Sequence, residues 1–207
     1  MELAGTDARP PRLSTARLLL RRWGDADRGP FAALNADPEV MRYFRGPLDR
    51  AASDAFIDRI ESSFDELGYG LWAVELRSSG EFIGFTGLAR QTFAAHFTPA
   101  VEVGWRLARS AWGHGYASEA ARAALDFAFD VAGLEEVVST TTRTNERSQA
   151  VMRRLGMTYD AVDDFPYPLL PETHPFRPHV LYRMSRQRWL VTRDRPDPAP
   201  PPNPPPR

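Results

Sequence analysis

The sequence predicts one mixed α/β (α+β) domain, and three features of the chain support this prediction. Apolar and polar residues alternate in several short segments, which is typical of half-buried strands. Other segments place apolar residues three and four positions apart, as on one side of a helix. A short turn with Gly113 and Gly115 joins one such strand to an alanine-rich helix. A chain of 207 residues, 43% of them apolar, is large enough for one buried core.

The predicted elements mix strands and helices along the whole chain. Strands are predicted around Leu18 and Leu20 and at residues 72–76, 82–88, 101–107, 137–142 and 180–185. Helices are predicted at residues 25–35, 50–67, 116–132 and 148–155. Asp49 or Ser53 would cap the second helix, because such side chains accept hydrogen bonds from a helix's first turn. Gly133 and Gly156 would end the last two helices.

The two ends of the chain differ in composition from its middle. Residues 1–12 are polar and include two prolines, and eight of the thirteen residues 195–207 are proline. We therefore expect a flexible N-terminus at 1–12, a folded domain at 13–190 and a disordered, proline-rich tail at 191–207. The tail is expected to be a solvated appendage, with a partner that binds proline-rich segments as the alternative.

Composition also limits the classes of function. The net charge of −1 gives no electrostatic reason to expect nucleic acid or an anionic membrane as a partner. The chain has no cysteine, which excludes disulfides, thiolate zinc sites and a cysteine nucleophile. No apolar run approaches the ~20 residues of a membrane helix, and the N-terminus lacks the apolar core of a signal peptide. A cytoplasmic location is therefore expected.

The turn before the alanine-rich helix has the features of an anion site. Two glycines let the backbone pass close to a bulky ligand, and the free amides that begin a helix favour anions. A Walker loop needs a Lys-Ser or Lys-Thr pair, which this turn lacks, and a dinucleotide fingerprint needs a third glycine where Ser118 stands. The turn is thus either a pyrophosphate cradle, with Glu102 on the strand leading to it, or an ordinary loop before a helix.

Four segments of the chain match one known family in the family's own order. They are residues 17–23 (RLLLRRW), 80–88 (GEFIGFTGL), 101–120 (VEVGWRLARSAWGHGYASEA) and 145–157 (NERSQAVMRRLGM). Together they resemble the GNAT superfamily of N-acetyltransferases, and more narrowly its RimJ/RimL-like branch. The resemblance implies the GNAT fold, in which a mostly antiparallel central sheet is splayed near Glu102 and has helices on both faces. It also implies acetyl-CoA as the acyl donor, and it requires no metal.

The resemblance assigns roles to the strand at residues 101–107. Glu102 would lie near the acceptor amine and act as a general base, directly or through water; the alternative is a structural carboxylate paired with an arginine. The amides around Gly104 and Trp105 would polarise the thioester carbonyl. The backbone of Trp105, Arg106 and Leu107 would pair with the pantetheine arm as an added strand does.

The glycine turn would then hold the pyrophosphate. The residues expected to bind it are Gly113, His114, Gly115, Tyr116 and Ala117. His114 could be mistaken for a catalytic base, but between two glycines we expect its backbone to matter more. Relatives usually have Arg or Gln where Ser110 stands, so binding would depend on backbone amides, with Arg109 as a substitute charge.

A second part of the site is predicted at the start of the helix at 148–155. By resemblance, Asn145 would contact the cofactor arm and the Ser148 hydroxyl would lie near the sulfur, where it could assist the departing thiolate. Many relatives use a tyrosine where Met152 stands, which leaves Ser148 as the leading acid and Tyr159 as a weaker one. Alternatively, Asn145 and Ser148 only cap the helix. Arg147 could meet the 3′-phosphate, although a solvated position is favoured.

Two further groups of residues could line the acceptor cleft. His174 and His179 lie in a proline-broken loop and are poor candidates for metal ligands, because no carboxylate or cysteine accompanies them in register. Nearby aromatic and acidic residues could select a cationic amine, namely Asp163, Asp164, Phe165 and Tyr167. The other wall could be formed by Phe31, Met41, Tyr43, Phe44 and Arg45, with packing favoured for Phe31 and Met41.

These observations predict an N-acetyltransferase that moves acetyl from acetyl-CoA to a primary amine by direct attack in a ternary complex. The acceptor would be a protein N-terminus or a small-molecule amine, and relatives suggest a homodimer. A non-catalytic acyl-CoA sensor of the same fold is the first alternative, because Ser110 and Met152 depart from the family pattern. An interaction protein that acts through its proline-rich tail is the second.

Overall fold

The computed structural model describes residues 12–193, which form a nine-stranded sheet with helices packed on it. The strands are β1 (Leu13–Ser14), β2 (Leu18–Arg21), β3 (Leu71–Leu76), β4 (Phe82–Gln91), β5 (Ala100–Leu107), β6 (Glu136–Thr142), β7 (Thr158–Tyr159), β8 (Phe165–Pro166) and β9 (Pro178–Ser185). The α-helices are α1 (Asp25–Ala36), α2 (Arg50–Leu67), α3 (Tyr116–Asp126), α4 (Glu146–Arg154) and α5 (Arg186–Thr192). The spatial order is β1-β2-β3-β4-β5-β6-β9-β7, and β8 pairs with β9.

The sheet is antiparallel except at one place. β4 and β5 pair without interruption from Gly84 opposite Leu107 to Gln91 opposite Ala100. β5 and β6 run parallel and share a single register pair, Glu102 with Val138. The predicted mostly antiparallel, splayed sheet is confirmed, and the splay begins at Glu102.

Helices cover the sheet on two sides. α1 and α2 lie on the face of Phe85, whose ring centroid is 5.9 Å from those of both Phe31 and Phe56. α3 packs on β4 and β5 but makes no comparable contact with α1 or α2, so it covers the other face. Its buried side is rich in alanine, and small side chains allow a helix to approach the sheet closely.

The structure changes several predicted boundaries. The helix predicted to begin at Ser148 begins at Glu146, because the Asn145 side chain caps it. Asp49, not Ser53, caps α2. The helix predicted at 116–132 is α-helical to Asp126 and continues as a π-helical turn, Phe127–Val131.

The C-terminal helix was not predicted. α5 is capped by Ser185 and buries Trp189, whose indole N–H donates to Asp126 at 3.1 Å. It reaches Thr192 and so includes the first two residues of the predicted tail. Residues 1–11 and the rest of the tail, 194–207, lie outside the described residues. No helix within residues 12–193 combines the length and the apolarity needed to cross a bilayer.

Candidate active site

The splay between β5 and β6 forms an open groove. The Ser139 hydroxyl donates to the Val103 carbonyl at 2.9 Å and closes its narrow end. Beyond that bond, from Gly104 onward, β5 has no register partner on β6. A Cβ built on Gly104 would meet no atom within 4 Å. The groove therefore leaves one edge of β5 available to an extended ligand, as the predicted pairing with a pantetheine arm requires.

Glu102 lies at the narrow end of this groove. Its Oε1 accepts from the amide and the hydroxyl of Thr140, at 2.9 and 2.7 Å, and its Oε2 accepts from Gln91 at 2.7 Å. Burial raises the pKa of Glu102, and the hydrogen bonds from Thr140 and Gln91 offset part of that rise. The alternative of a carboxylate paired with an arginine is wrong, since its partners are neutral. A fixed carboxylate with a raised pKa suits a general base.

Two stacked rings, those of Tyr167 and His179, lie on the Glu102 side of the groove. Tyr167 stacks on His179 with ring centroids 4.7 Å apart. Burial raises the pKa of Tyr167, and the nearby charge of Glu102 adds to the rise. Burial also lowers the pKa of His179, which keeps the ring neutral near pH 7. Tyr167 thus lies close to the candidate base, on the wall expected for the acceptor.

The glycine turn stands at the wide end of the groove. Gly113 and Gly115 have φ angles of +81° and +80°, a left-handed conformation that glycine adopts without strain. Among the described residues, the amides of residues 113–115 have no acceptor. The first three amides of α3, which begins at Tyr116, have none within the helix. The turn therefore presents consecutive free N–H groups, a geometry that binds phosphate.

A residue missed by sequence reasoning, Arg17, braces this turn. Its Nη1 donates to the His114 carbonyl at 2.9 Å, and its guanidinium carbon is 4.7 Å from the centre of the Tyr116 ring. Its Nε donates to Glu119 at 2.6 Å. Burial opposes ionisation of Glu119, but hydrogen bonds from Thr15 and Arg17 outweigh it and lower the pKa of this carboxyl. Arg17 therefore places a positive charge beside the turn. Ser110, which stands where relatives usually have Arg or Gln, cannot supply one.

His114 contributes to the turn mainly through its backbone. Its carbonyl accepts the bond from Arg17, and its ring stacks on Tyr116 at 5.4 Å. The ring has no carboxylate partner among residues 12–193. This geometry agrees with the interpretation of His114 as a loop residue.

Asn145 and Ser148 lie across the groove from the turn, at the end of β6. The Ser148 amide donates to Asn145 Oδ1 at 3.2 Å, and Asn145 Nδ2 donates to Thr141 Oγ1 at 3.0 Å. Asn145 thus performs the capping role that sequence reasoning kept as an alternative, whereas the Ser148 side chain does not, since only its amide takes part. Ser148 Oγ has no hydrogen-bond partner within the described part of the chain, so the cap leaves this hydroxyl free for a ligand.

One contact spans the groove between its two sides. The guanidinium carbon of Arg147, on α4, lies 4.7 Å from the centre of the Trp112 ring, in the turn. The Trp112 indole donates to the Leu107 carbonyl at 2.8 Å. Arg147 is exposed, which agrees with the favoured solvated position, although its guanidinium also contacts the Trp112 ring. The Leu107 carbonyl already accepts one hydrogen bond before any ligand pairs with it.

The acidic residues expected to select a cationic amine are already paired. Asp163 binds Arg183 at 2.7 Å, and Asp164 binds Arg143 at the same distance. Tyr159, the weaker acid candidate, donates to Asp164 at 3.2 Å. These carboxylates hold β9 and its neighbours together, so amine selection through them is not favoured.

The remaining predicted wall residues fall into two groups. Phe31 and Met41 are buried, which confirms that they pack in the core. Tyr43 contacts Phe176 with ring centroids 5.6 Å apart, so the loop after α1 touches the loop before β9. His174 and His179 belong to no group of three or more metal-binding side chains within residues 12–193.

Comparisons with known proteins agree with this geometry. A family model described as an acetyltransferase (GNAT) domain matches residues 17–158. The FsC-acetyl coenzyme A-N(2)-transacetylase of Aspergillus fumigatus is 32% identical over 191 residues, covering 87% of this chain and 78% of the relative. The YkkB protein of Bacillus subtilis is 33% identical over 149 residues, covering 72% of this chain and 86% of the relative.

A solved structure extends the similarity to the fold. The acetyltransferase of Agrobacterium tumefaciens aligns with a TM-score of 0.69 and 30% identity, covering 89% of this chain and 98% of that chain. GNAT-fold acetyltransferases use acetyl-CoA as their donor, and the free amides of the turn and the open edge of β5 fit its diphosphate and pantetheine arm. The chain therefore belongs to the GNAT family and is an acyltransferase.

Proposed function

We propose that the protein transfers the acetyl group of acetyl-CoA to a primary amine by direct attack in a ternary complex. The observation that supports this most is the position of Glu102 where β5 and β6 separate, with a free strand edge and a phosphate-binding turn beyond it. One groove thus has a binding place for the donor and a base beside the thioester. Residues 113–117 bind the diphosphate, and the backbone from Gly104 to Leu107 binds the arm.

The proposed reaction begins with the ammonium form of the acceptor. Glu102 takes one proton from it, directly or through a water molecule, and the freed amine attacks the thioester carbon. Amides near Gly104 and Trp105 stabilise the oxyanion of the tetrahedral intermediate. The carbon–sulfur bond then breaks, and the second proton of the attacking nitrogen goes to the departing sulfur. The Ser148 hydroxyl assists that transfer. It is available because the helix cap uses the backbone amide of Ser148 and not its hydroxyl.

The acceptor is proposed to be a small-molecule amine. The fungal relative is named for acetyl transfer from acetyl coenzyme A to a nitrogen designated N(2). The loops before α2 and before β9 touch through Tyr43 and Phe176, and the second of these loops carries Tyr167, which lies close to Glu102. A confined approach favours a compact amine over a folded protein surface.

The test is thiol release from acetyl-CoA in the presence of a panel of primary amines. Each primary amine is paired with its tertiary counterpart, which cannot form a stable amide, and products are identified by mass spectrometry. We expect amide products only from primary amines. Initial rates at varied concentrations of both substrates should give intersecting reciprocal plots, since parallel lines indicate a covalent acyl-enzyme. Parallel lines, or no product across the panel, would overturn the proposal.

A further inference from the structure

Arg106 is a buried cation without a counter-charge. Its residue exposure is 8%, and no carboxylate within residues 12–193 pairs with it. Burial lowers the pKa of its guanidinium to about 10, which still leaves it charged at neutral pH. Buried charges in proteins are normally paired, because an unpaired one is expensive to remove from water. An arginine in this state calls for a partner that the described residues do not supply.

The neighbours of Arg106 hold its guanidinium in place without neutralising it. Nη1 donates to the amide oxygen of Asn35 at 2.6 Å, and Asn35 in turn donates to Ser53 at 2.9 Å. Nε is sealed from solvent and has no acceptor among residues 12–193. The Phe85 and Phe44 rings lie 5.3 and 4.0 Å from the guanidinium carbon. A neutral amide and aromatic faces orient the group, and most of its donors remain free.

Arg106 shares one face of β5 with the candidate base. Side chains alternate along a strand, so Glu102, Gly104 and Arg106 point to the same face. Phe44, which covers the guanidinium, is 42% exposed and belongs to the loop between α1 and α2. Between the carboxylate and the cation lies Gly104, above which the space is open. The α-carbons of Glu102 and Arg106 are about 13 Å apart along the strand.

We propose that Arg106 is the floor of a carboxylate subsite, so that one of the two substrates carries a carboxylate in addition to its reacting group. This inference rests on the proposed acyl transfer at Glu102. The carboxylate replaces the missing counter-charge and accepts charge-assisted hydrogen bonds from the terminal nitrogens. It belongs either to the acceptor, which is then an amino acid, or to the acyl group of the donor, as in a dicarboxylic acyl-CoA.

The first experiment uses the wild-type protein. Acetyl-CoA is supplied with amino acids whose amine and carboxylate are separated by one to five carbons, each compared with its carboxamide. In a second arm, succinyl-CoA is compared with acetyl-CoA on an acceptor that has no carboxylate. We expect a carboxylate preference of about 10- to 100-fold in kcat/KM in one arm, the range of a charge-assisted hydrogen bond. The arm in which it occurs identifies the substrate that bears the carboxylate.

Variants then assign the preference to Arg106. Arg106→Gln should remove it, and Arg106→Lys should retain only part of it, because lysine keeps the charge but not the planar fork. Arg42→Gln is the matched control, since Arg42 is an exposed cation in the same loop as Phe44, is paired with Glu39, and should leave the ratio unchanged. Coenzyme A affinity and thermal unfolding of each variant show whether it folds. If Arg106→Gln does not fold, the test uses Arg106→Lys and the wild-type panels. A carboxylate preference that is reduced in Arg106→Lys then supports the subsite, and an unchanged preference overturns it.

The outcomes separate this inference from the function on which it rests. Acyl transfer with equal use of carboxylates and carboxamides, and of acetyl and succinyl donors, overturns the subsite and leaves the transferase intact. A preference that survives in Arg106→Gln also overturns it. Absence of transfer in every arm overturns the proposed function first.

Discussion

The two edges of β5 are built in different ways. Toward β4 the strand pairs along its whole length, and at Gly84 the neighbouring backbone comes so close that a Cβ would overlap the Arg106 carbonyl. Toward β6 it shares one register pair, so from Gly104 onward that edge has no strand partner. β5 thus has one edge that is fully paired, called the sealed edge below, and one edge that is largely unpaired, called the open edge.

This difference shows where the fold provides stability and where it provides binding. The sealed edge satisfies its backbone groups within the sheet, so substitutions there should act on folding. The open edge leaves backbone groups for a ligand, so substitutions there should act on affinity and rate. The predictions below test that division, from the largest expected effect to the smallest.

The largest effect is expected from Glu102→Gln. Removal of a general base should lower kcat by ~10²–10⁴-fold. Glutamine keeps the size of the side chain, its oxygen can accept from Thr140, and its amide nitrogen can donate to Gln91 once the Gln91 amide turns its oxygen inward. The free energy of unfolding should therefore change by less than about 1 kcal/mol. Initial rates and chemical denaturation measure the two quantities. Glu75→Gln, a strand carboxylate paired with Arg21, is the control and should leave kcat unchanged.

The pH dependence of the wild-type rate gives a second measure of Glu102. Its pKa is raised, so the base form appears only above the range of an ordinary glutamate, and kcat should fall as pH decreases through that raised pKa. The free energy of unfolding should respond to pH in the opposite direction from that expected for a salt-bridged acid, whose pKa is lowered by folding. The folded state holds the proton more tightly than the unfolded state, so this group lowers stability as pH rises from the unfolded pKa to the folded one. If kcat of Glu102→Gln fell with decreasing pH over the same range as kcat of the wild type, another group would be the base.

The next effect compares two glycines on the two edges. Gly84→Ala should lower the free energy of unfolding by about 3 kcal/mol or more, because Gly84 has φ of +136° and no room for a Cβ. Gly104→Ala should change it by less than about 1 kcal/mol, yet weaken substrate binding, because the new methyl group stands in the open space on the face that Gly104 shares with Glu102. Denaturation and steady-state kinetics of both variants decide the matter. Equal destabilisation by the two substitutions would contradict the proposed difference between the edges.

A smaller effect is expected at the cofactor turn. Arg17→Ala should weaken coenzyme A binding by about tenfold, the scale of one charge-assisted hydrogen bond, because Arg17 supports the His114 carbonyl and places a charge beside the turn. Arg109→Ala tests the substitute suggested by the sequence and should have less effect, since Arg109 is exposed. Calorimetric titration with coenzyme A measures both. A larger loss from Arg109→Ala would reverse the assignment.

The smallest effect is expected from Ser148→Ala. The helix cap uses the Asn145 side chain and the Ser148 amide, so stability should hardly change. Loss of one hydrogen bond to the departing sulfur should lower kcat by about tenfold without raising the KM for acetyl-CoA. Asn145→Ala, which removes the cap, is the contrasting variant and should lower stability by about 1 kcal/mol. A rise in KM without loss of kcat in Ser148→Ala would assign the hydroxyl to binding.

Much of this site could be predicted from local sequence. The turn around Gly113 and Gly115 stands out because glycine marks backbone that other residues adopt only with strain. Glu102 stands out because it is a carboxylate on a strand next to that turn. The cap of α4 by Asn145 also follows from short-range spacing. Each of these signals lies within a few residues of the feature it predicts.

The missed features depend on residues far apart in the chain. Arg17 and His114 are separated by 97 positions, and Arg106 and Asn35 by 71, so no local pattern shows that they meet. The pairing of Asp163 and Asp164 with arginines of other elements is equally hidden, which is why these acids resembled a binding wall. α5 was missed because its seven residues are too few for a helical period to be recognised.

Hydrogen exchange of the full chain, with and without coenzyme A, tests the central claim most directly. The account predicts that the ligand protects the amides of residues 103–107 and 113–118 and leaves those of β4 (Phe82–Gln91) unchanged. Protection confined to other segments, or no change on saturation with coenzyme A, would contradict the assignment of the open edge of β5 to the acyl donor.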